Sequence, residues 1–174
     1  MEIVNITATV IMEKSFDLDN LHNRLPNSEK TQVWVKKRIP PYNKYTAFYA
    51  SGKFLIIGVK SYEELNEVAD NVVKYLKQHD VENNIKRINI NNHVLIDKLD
   101  FNINLNDLIM KLDSYNASYE PEQFPGLSLK DENNITYLLF NSGKITITGV
   151  KSLENLEKKV NSFKQLIYEK SLED

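Results

Sequence analysis

Two stretches decide the fold: Ser51-Gly52-Lys53-Phe54-Leu55-Ile56-Ile57-Gly58-Val59-Lys60-Ser61 and Ser142-Gly143-Lys144-Ile145-Thr146-Ile147-Thr148-Gly149-Val150-Lys151-Ser152. They agree at eight of eleven positions, at an offset of 91 residues. Four of the chain's five glycines, Gly52, Gly58, Gly143 and Gly149, lie in this pair, which makes chance a poor explanation. Self-similarity at a fixed offset marks a duplicated supersecondary unit. Two copies imply a pseudo-twofold pair, since a solenoid needs three or more. Working outward, Val4-Asn5-Ile6 resembles Asn91-Asn92-His93, and Asp17-Leu18-Asp19-Asn20-Leu21 resembles Asn104-Leu105-Asn106-Asp107-Leu108, both at an offset of 87. The second copy therefore carries about four extra residues, within 118–127. The copies are assigned to residues 1–82 and 83–174.

Each copy reads as strand, short helix, three-strand meander and long helix. Residues 2–11 are β-branched and alternating, the mark of a strand. A short helix is expected over 17–25, and strands over 32–39, 44–50 and 53–58. Pro40-Pro41-Tyr42-Asn43 supplies one turn. Ser51-Gly52 supplies a hairpin, because glycine tolerates positive φ. Ser61 and Glu64 are spaced as a capping box. Leu65, Val68, Val72, Val73 and Leu76 then repeat at helical spacing, predicting a helix over 62–78. In the second copy Ser152 is expected to cap, with Leu153, Leu156, Val160, Phe163, Leu166 and Ile167 as the apolar stripe. The long helix covers one face of each sheet and leaves the other uncovered, which is the signature of a binding surface. The fold class is α+β, with two repeats forming one curved antiparallel sheet and the helices on its convex face.

The balance of the chain excludes several functions. Among 174 residues there are 22 Lys and Arg against 24 Asp and Glu, a net charge of −2, so any affinity for nucleic acid must come from local charge placement. There is no cysteine, which removes disulfides, zinc fingers and thiol catalysis. His22, His79 and His93 lack ligand spacing, and no Ser/His/Asp set or phosphate-binding glycine loop is present. No catalytic residue, cofactor or metal is expected, and the chain is read as non-enzymatic. No apolar run would span a bilayer. The N-terminus lacks a signal-peptide pattern, and the chain is read as cytoplasmic and nucleoid-associated. Oligomeric state is not readable.

Tyr119-Glu120-Pro121-Glu122-Gln123-Phe124-Pro125-Gly126-Leu127 and Leu138-Leu139-Phe140-Asn141-Ser142-Gly143-Lys144, continuing to Ser152, resemble the signature of the TATA-box-binding proteins of archaea and eukaryotes. The resemblance spans the chain, because that family's core is itself a two-copy saddle of this length. It implies a general transcription initiation factor. Such a factor binds A·T-rich promoter DNA through the minor groove, wedges phenylalanine pairs between base steps, and recruits transcription factor B. The resemblance carries residue by residue into the second copy. Phe124 and Phe140 match a wedge pair, Asn92 and Thr148 the polar minor-groove positions, and Val94 an apolar contact. Lys144 and Lys151 match phosphate-side positions, Lys130 stands where the family often has arginine, and Glu120 and Glu122 match the acidic stirrup that meets transcription factor B.

The first copy departs from the pattern. Asn5, Lys53 and Lys60 are kept. Tyr49 stands for Phe140, Ile57 for Thr148, and Thr7 for Val94. The position matching Phe124 falls on Val33, or on Gln32 or Trp34 with a different gap. Lys36-Lys37-Arg38 is a candidate basic cluster, read alternatively as a solvated edge-strand device. Unstacking a base step costs roughly a few kcal/mol that side chains must offset, and valine is too small to do so. One half-site is therefore expected to be weakly read. The alternative is a paralogue that has lost normal TATA binding and acts as a protein-interaction module.

Overall fold

A computed structural model describes residues 1–173. The strands are β1 (Glu2–Met12), β2 (Glu29–Lys30), β3 (Trp34–Ile39), β4 (Lys44–Tyr49), β5 (Lys53–Val59), β6 (Ile85–Lys98), β7 (Ala117–Ser118), β8 (Leu127–Lys130), β9 (Thr136–Leu139) and β10 (Lys144–Val150). The helices are α1 (Leu18–Arg24), α2 (Tyr62–Gln78), α3 (Leu105–Met110) and α4 (Leu156–Leu172). The fold is α+β, and the pairs β1–β5, β2–β3, β3–β4, β4–β5, β6–β10, β7–β8, β8–β9 and β9–β10 are antiparallel. Two compact units emerge, Asn5–Asn91 and Met1–Val4 with Asn92–Asp174. Their boundaries fall inside β1 and β6 and not in a linker.

In the unit of residues 5–91 the strands run β2-β3-β4-β5-β1. Alternation in β1 sends Ile6, Ala8 and Val10 inward, each with no exposed surface. They join Phe48, Phe54 and Ile56 from β4 and β5 and Leu65, Val68, Val72 and Leu76 from α2. Burying a large aliphatic or aromatic side chain of this kind stabilises by about 1.5–3 kcal/mol. Helix α2 packs on β5 and begins at Ser61, whose Oγ accepts from the Glu64 N–H at 3.0 Å while Glu64 Oε2 accepts from the Lys60 N–H at 2.7 Å. The intervening residues point to the sheet face opposite α2. Register aligns Trp34 with Tyr49, Lys36 with Ala47, Arg38 with Tyr45, and then Lys53, Leu55 and Ile57 beside Tyr49, Ala47 and Tyr45.

In the other unit the order is β6-β10-β9-β8-β7. Its core joins Leu95, Leu127, Leu139, Ile145 and Ile147 from the sheet to Leu105 and Leu108 of α3 and Leu156, Val160, Phe163 and Ile167 of α4. Tyr137 stacks on Phe163 with ring centroids 4.2 Å apart and planes at 7°. The α4 start departs from the sequence expectation. Ser152 Oγ accepts only from the Glu154 N–H, at 3.2 Å, and the helix starts at Leu156 after Asn155, which has φ 56°. Asn155 occupies the place that Glu64 holds in the first copy, so the reciprocal carboxylate of a capping box is missing. Leu153 consequently stays outside the stripe, 36 % exposed.

Hairpin glycines behave as expected. Gly52 and Gly143 have φ of 80° and 78°, and an added Cβ would lie 2.3 Å from Lys14 O and 2.4 Å from Phe101 O respectively. Among the described residues no helix is long and apolar enough to cross a membrane.

Candidate nucleic-acid interface

The second copy gathers its candidates on one sheet face. Ile145 and Ile147 of β10 are buried toward α4, so Lys144, Thr146 and Thr148 point the other way. Register then places Phe140 beside Lys144, Leu138 beside Thr146, and Thr136 beside Thr148. The next strand brings Lys130 opposite Thr136 and Ser128 opposite Leu138. On β6 the half-buried Asn92, Val94 and Ile96 alternate with buried His93 and Leu95, and so share this face. Lys130 and Lys144 are exposed at its margins, and Lys151 is exposed just beyond β10.

Phe124 and Phe140 meet edge to face, with centroids 5.8 Å apart and planes at 66°. Phe124 is 43 % exposed, an unusual situation for so large an apolar ring. Its N–H bonds Glu120 O at 2.9 Å, which closes the turn that presents it. Between the two rings sits Gly126, where an added Cβ would approach Phe124 Cε1 to 2.7 Å and Phe140 Cε1 to 3.1 Å. The absence of a side chain there is what lets the pair form.

The polar positions are also paired. Asn92 Nδ2 donates to Thr148 Oγ1 at 3.2 Å, while Asn92 Oδ1 is buried without a partner. A hydroxyl oxygen that accepts this bond keeps its own hydrogen available to an external acceptor. In the first copy Asn5 Oδ1 accepts from the Gly58 N–H at 3.0 Å. Ile57, on the strand next to Thr7, offers no acceptor to the Asn5 amide nitrogen. The Gly58 carbonyl accepts from Lys44 Nζ at 2.7 Å, and Lys44 also pairs with Glu64 at 2.7 Å. The hydrogen bond from Lys44 holds the Glu64 carboxyl below its usual range, with burial opposing and the Lys60 N–H assisting. The second copy has no counterpart of this network, because buried Ile135 stands where Lys44 does at the repeat offset.

The first-copy register is settled by β3 and β4. Trp34 lies opposite Tyr49, and continuing the β8–β9 register puts Gly126 opposite Phe140. Trp34 therefore holds the place of Gly126, Gln32 falls in the place of Phe124, and Val33 is 63 % exposed. The candidate basic cluster is split by strand alternation. Lys36 and Arg38 share the open face, whereas Lys37 bonds Pro26 O and faces the Tyr75 ring at 5.8 Å. Lys36 Nζ stands 4.4 Å from the Trp34 ring centroid and 5.3 Å from that of Tyr45. Sequence reasoning missed this aromatic and basic ladder. Its signal was present in Trp34, Lys36 and Arg38 alternating with apolar Val35 and Ile39. Lys53 is exposed beside Tyr49, and Lys60 is exposed between β5 and α2.

Glu120 and Glu122 are exposed in the turn between β7 and β8. Glu120 Oε2 accepts from Gln123 Nε2 at 2.6 Å.

Comparison with known proteins agrees with this geometry. The family model described as transcription factor TFIID, or TATA-binding protein, matches residues 1–79 and 87–170. The chain is 35 % identical over 175 residues to the TATA-box-binding protein of Pyrodictium occultum, covering 97 % of this chain and 84 % of that protein. It is 33 % identical over 165 residues to that of Sulfolobus acidocaldarius, covering 92 % and 83 %. The solved structure of the Methanococcus jannaschii protein superposes with a TM-score of 0.85 at 28 % identity, covering 97 % of this chain and 98 % of the other. A doubled fold matched along nearly its whole length, with relatives that are non-enzymatic transcription factors, leaves one assignment: the chain belongs to the TATA-box-binding protein family.

Proposed function

We propose that this protein contacts A·T-rich promoter DNA through the minor groove chiefly with its second copy. The observation that carries the reading is the pair of exposed Phe124 and half-buried Phe140, held open by Gly126. In this role the rings enter an A·T base step, and the kink opens the groove toward the sheet. Thr148 Oγ–H donates to a minor-groove acceptor, and Asn92 orients that hydroxyl. Val94 packs on sugar and base edges. Lys130, Lys144 and Lys151 neutralise phosphates, so binding weakens as salt rises. Such readout separates A·T from G·C pairs and little more.

The first copy contributes less. Asn5 has an amide nitrogen to offer, Lys53 and Lys60 are placed for phosphates, and Tyr49 is the only aromatic in a wedge position. The Glu120–Glu122 turn is the docking site for transcription factor B, and the protein acts at the nucleoid. A second reading, loss of normal TATA binding, draws support from Ile57 and from Gln32 in the place of Phe124. Titration of TATA and G·C-rich duplexes at two salt concentrations, with bending followed by energy transfer between end labels, separates them. Preferential binding and a kink of the TATA duplex support the first reading. No binding to either duplex at micromolar protein removes it.

A further inference from the structure

The open face of the unit of residues 5–91 carries a different chemistry from its counterpart. Trp34 and Tyr49 lie directly opposite across β3 and β4, a relationship that puts their Cβ atoms about 5 Å apart. One rung along, Lys36 faces the small Ala47, and one further Arg38 faces Tyr45. Lys53 flanks Tyr49 on the next strand. The face thus gathers three rings, Trp34, Tyr45 and Tyr49, with three cations, Lys36, Arg38 and Lys53. Lys36 Nζ pairs with Glu29 at 3.6 Å, which compensates one of the three positive charges. The hydrogen-bonding residues that read a duplex groove are reduced, with Ile57 in the place of Thr148. The ring pair sits within β3 and β4 and not on a turn like the one that presents Phe124.

Rings interleaved with cations on an open sheet are suited to unpaired bases. Every base has a π-face to stack, and the phosphates follow the cations without sequence readout. We propose that this face binds single-stranded nucleic acid, stacking bases on Trp34 and Tyr49 while Lys36, Arg38 and Lys53 hold the backbone. An arriving phosphate draws Lys36 away from Glu29, and a base takes the ammonium's place over the Trp34 ring. This face shares Tyr49 and Lys53 with the duplex contacts proposed above but does not include the Phe124–Phe140 wedge, so single-strand binding through Trp34 and Lys36 is measured separately from duplex binding.

Trp34 is the chain's one tryptophan, so its emission reports this face alone. The protein is titrated with a dodecamer of thymidylate at low salt while Trp34 fluorescence is followed. Saturable quenching is expected. Tyr49→Leu, which keeps the reporter, should weaken the apparent affinity by about 5- to 140-fold, the range of one lost stacking contact. Lys36→Ala should lower the salt slope by about 0.7, the value for one single-strand phosphate contact. Phe124→Ala should leave the dodecamer titration unchanged while weakening a TATA duplex. Unaltered circular dichroism of each variant excludes misfolding. Absence of quenching up to about 0.1 mM oligonucleotide, the weak end of non-specific binding, overturns the proposal. So does equal weakening by Phe124→Ala and Tyr49→Leu.

Discussion

The rings of Phe124 and Phe140 touch edge to face across a residue without a side chain, and a methyl group at Gly126 would come within 2.7 Å of the first and 3.1 Å of the second. Gly126 is absent from the positive-φ glycines, so alanine carries no backbone strain there. The contact it would break involves one exposed ring that is free to swing. Gly126→Ala should therefore leave the melting temperature nearly unchanged while weakening TATA-duplex binding about tenfold, roughly 1.4 kcal/mol. Melting followed by circular dichroism and a duplex titration check the two halves.

Substitutions at the other repeat glycines should rank by space and not by conservation of pattern. Gly58 has φ 95° with open space around its missing Cβ, whereas Gly52 and Gly143 face backbone oxygens at 2.3 and 2.4 Å. Gly58→Ala should cost about 1–2 kcal/mol, the left-handed penalty alone. Gly52→Ala and Gly143→Ala should cost clearly more, because a backbone oxygen cannot swing aside. Urea denaturation of the three variants tests the order.

The two serines that begin the strand-to-helix connections should behave unequally. Ser61→Ala removes a working helix cap and should cost about 1 kcal/mol. Ser152→Ala touches no α4 cap and should stay within about 0.5 kcal/mol of the parent, as at an ordinary surface position. Equal losses in thermal unfolding would contradict the late α4 start.

Most of the scaffold was legible because duplication and alternation are strong local signals. The helix expected over 62–78 is α2, and the strand over 53–58 is β5 with one residue added. What escaped the sequence has physical causes. The α4 start depended on whether Asn155 could replace a capping glutamate, and a short amide in left-handed geometry does not. The Trp34 register depended on hairpin pairing, which residues 26–33 do not announce. Lys37 was grouped with Lys36 and Arg38 by adjacency, although successive strand residues face opposite ways. At the candidate site, the family resemblance pointed to Asn92, Thr148, Phe124 and Phe140, whereas the roles of Gly126 and Lys44 needed coordinates.

Asp97 should make stability pH-dependent. Burial tends to raise its pKa, but the Lys164 ammonium at 2.8 Å and the Lys98 N–H hold the carboxyl below its usual value. A depressed folded-state pKa contributes stability that is present above the unfolded value, about 3.9, and is lost as pH falls through the folded one. Asp97→Asn should therefore be less stable than the parent at pH 7, and the gap should close as pH drops below about 4. Denaturant midpoints across that range give the comparison.

Ile57→Thr should strengthen TATA-duplex binding, because it restores a hydroxyl beside Asn5 of the kind Asn92 holds in Thr148. The mirror change, Thr148→Val, should weaken binding and cost about 1 kcal/mol of stability, since it takes from the Asn92 amide its acceptor. Paired titrations of both variants against one duplex decide whether this pair tunes the two halves.

The unequal division of labour between the copies is tested most directly by one experiment: the same TATA duplex titrated with Phe124→Ala, Phe140→Ala and Tyr49→Ala, with bending followed alongside affinity. The account predicts that either phenylalanine change weakens binding and reduces the bend substantially, while Tyr49→Ala has the smaller effect on both. A larger loss from Tyr49→Ala than from Phe124→Ala or Phe140→Ala would contradict it.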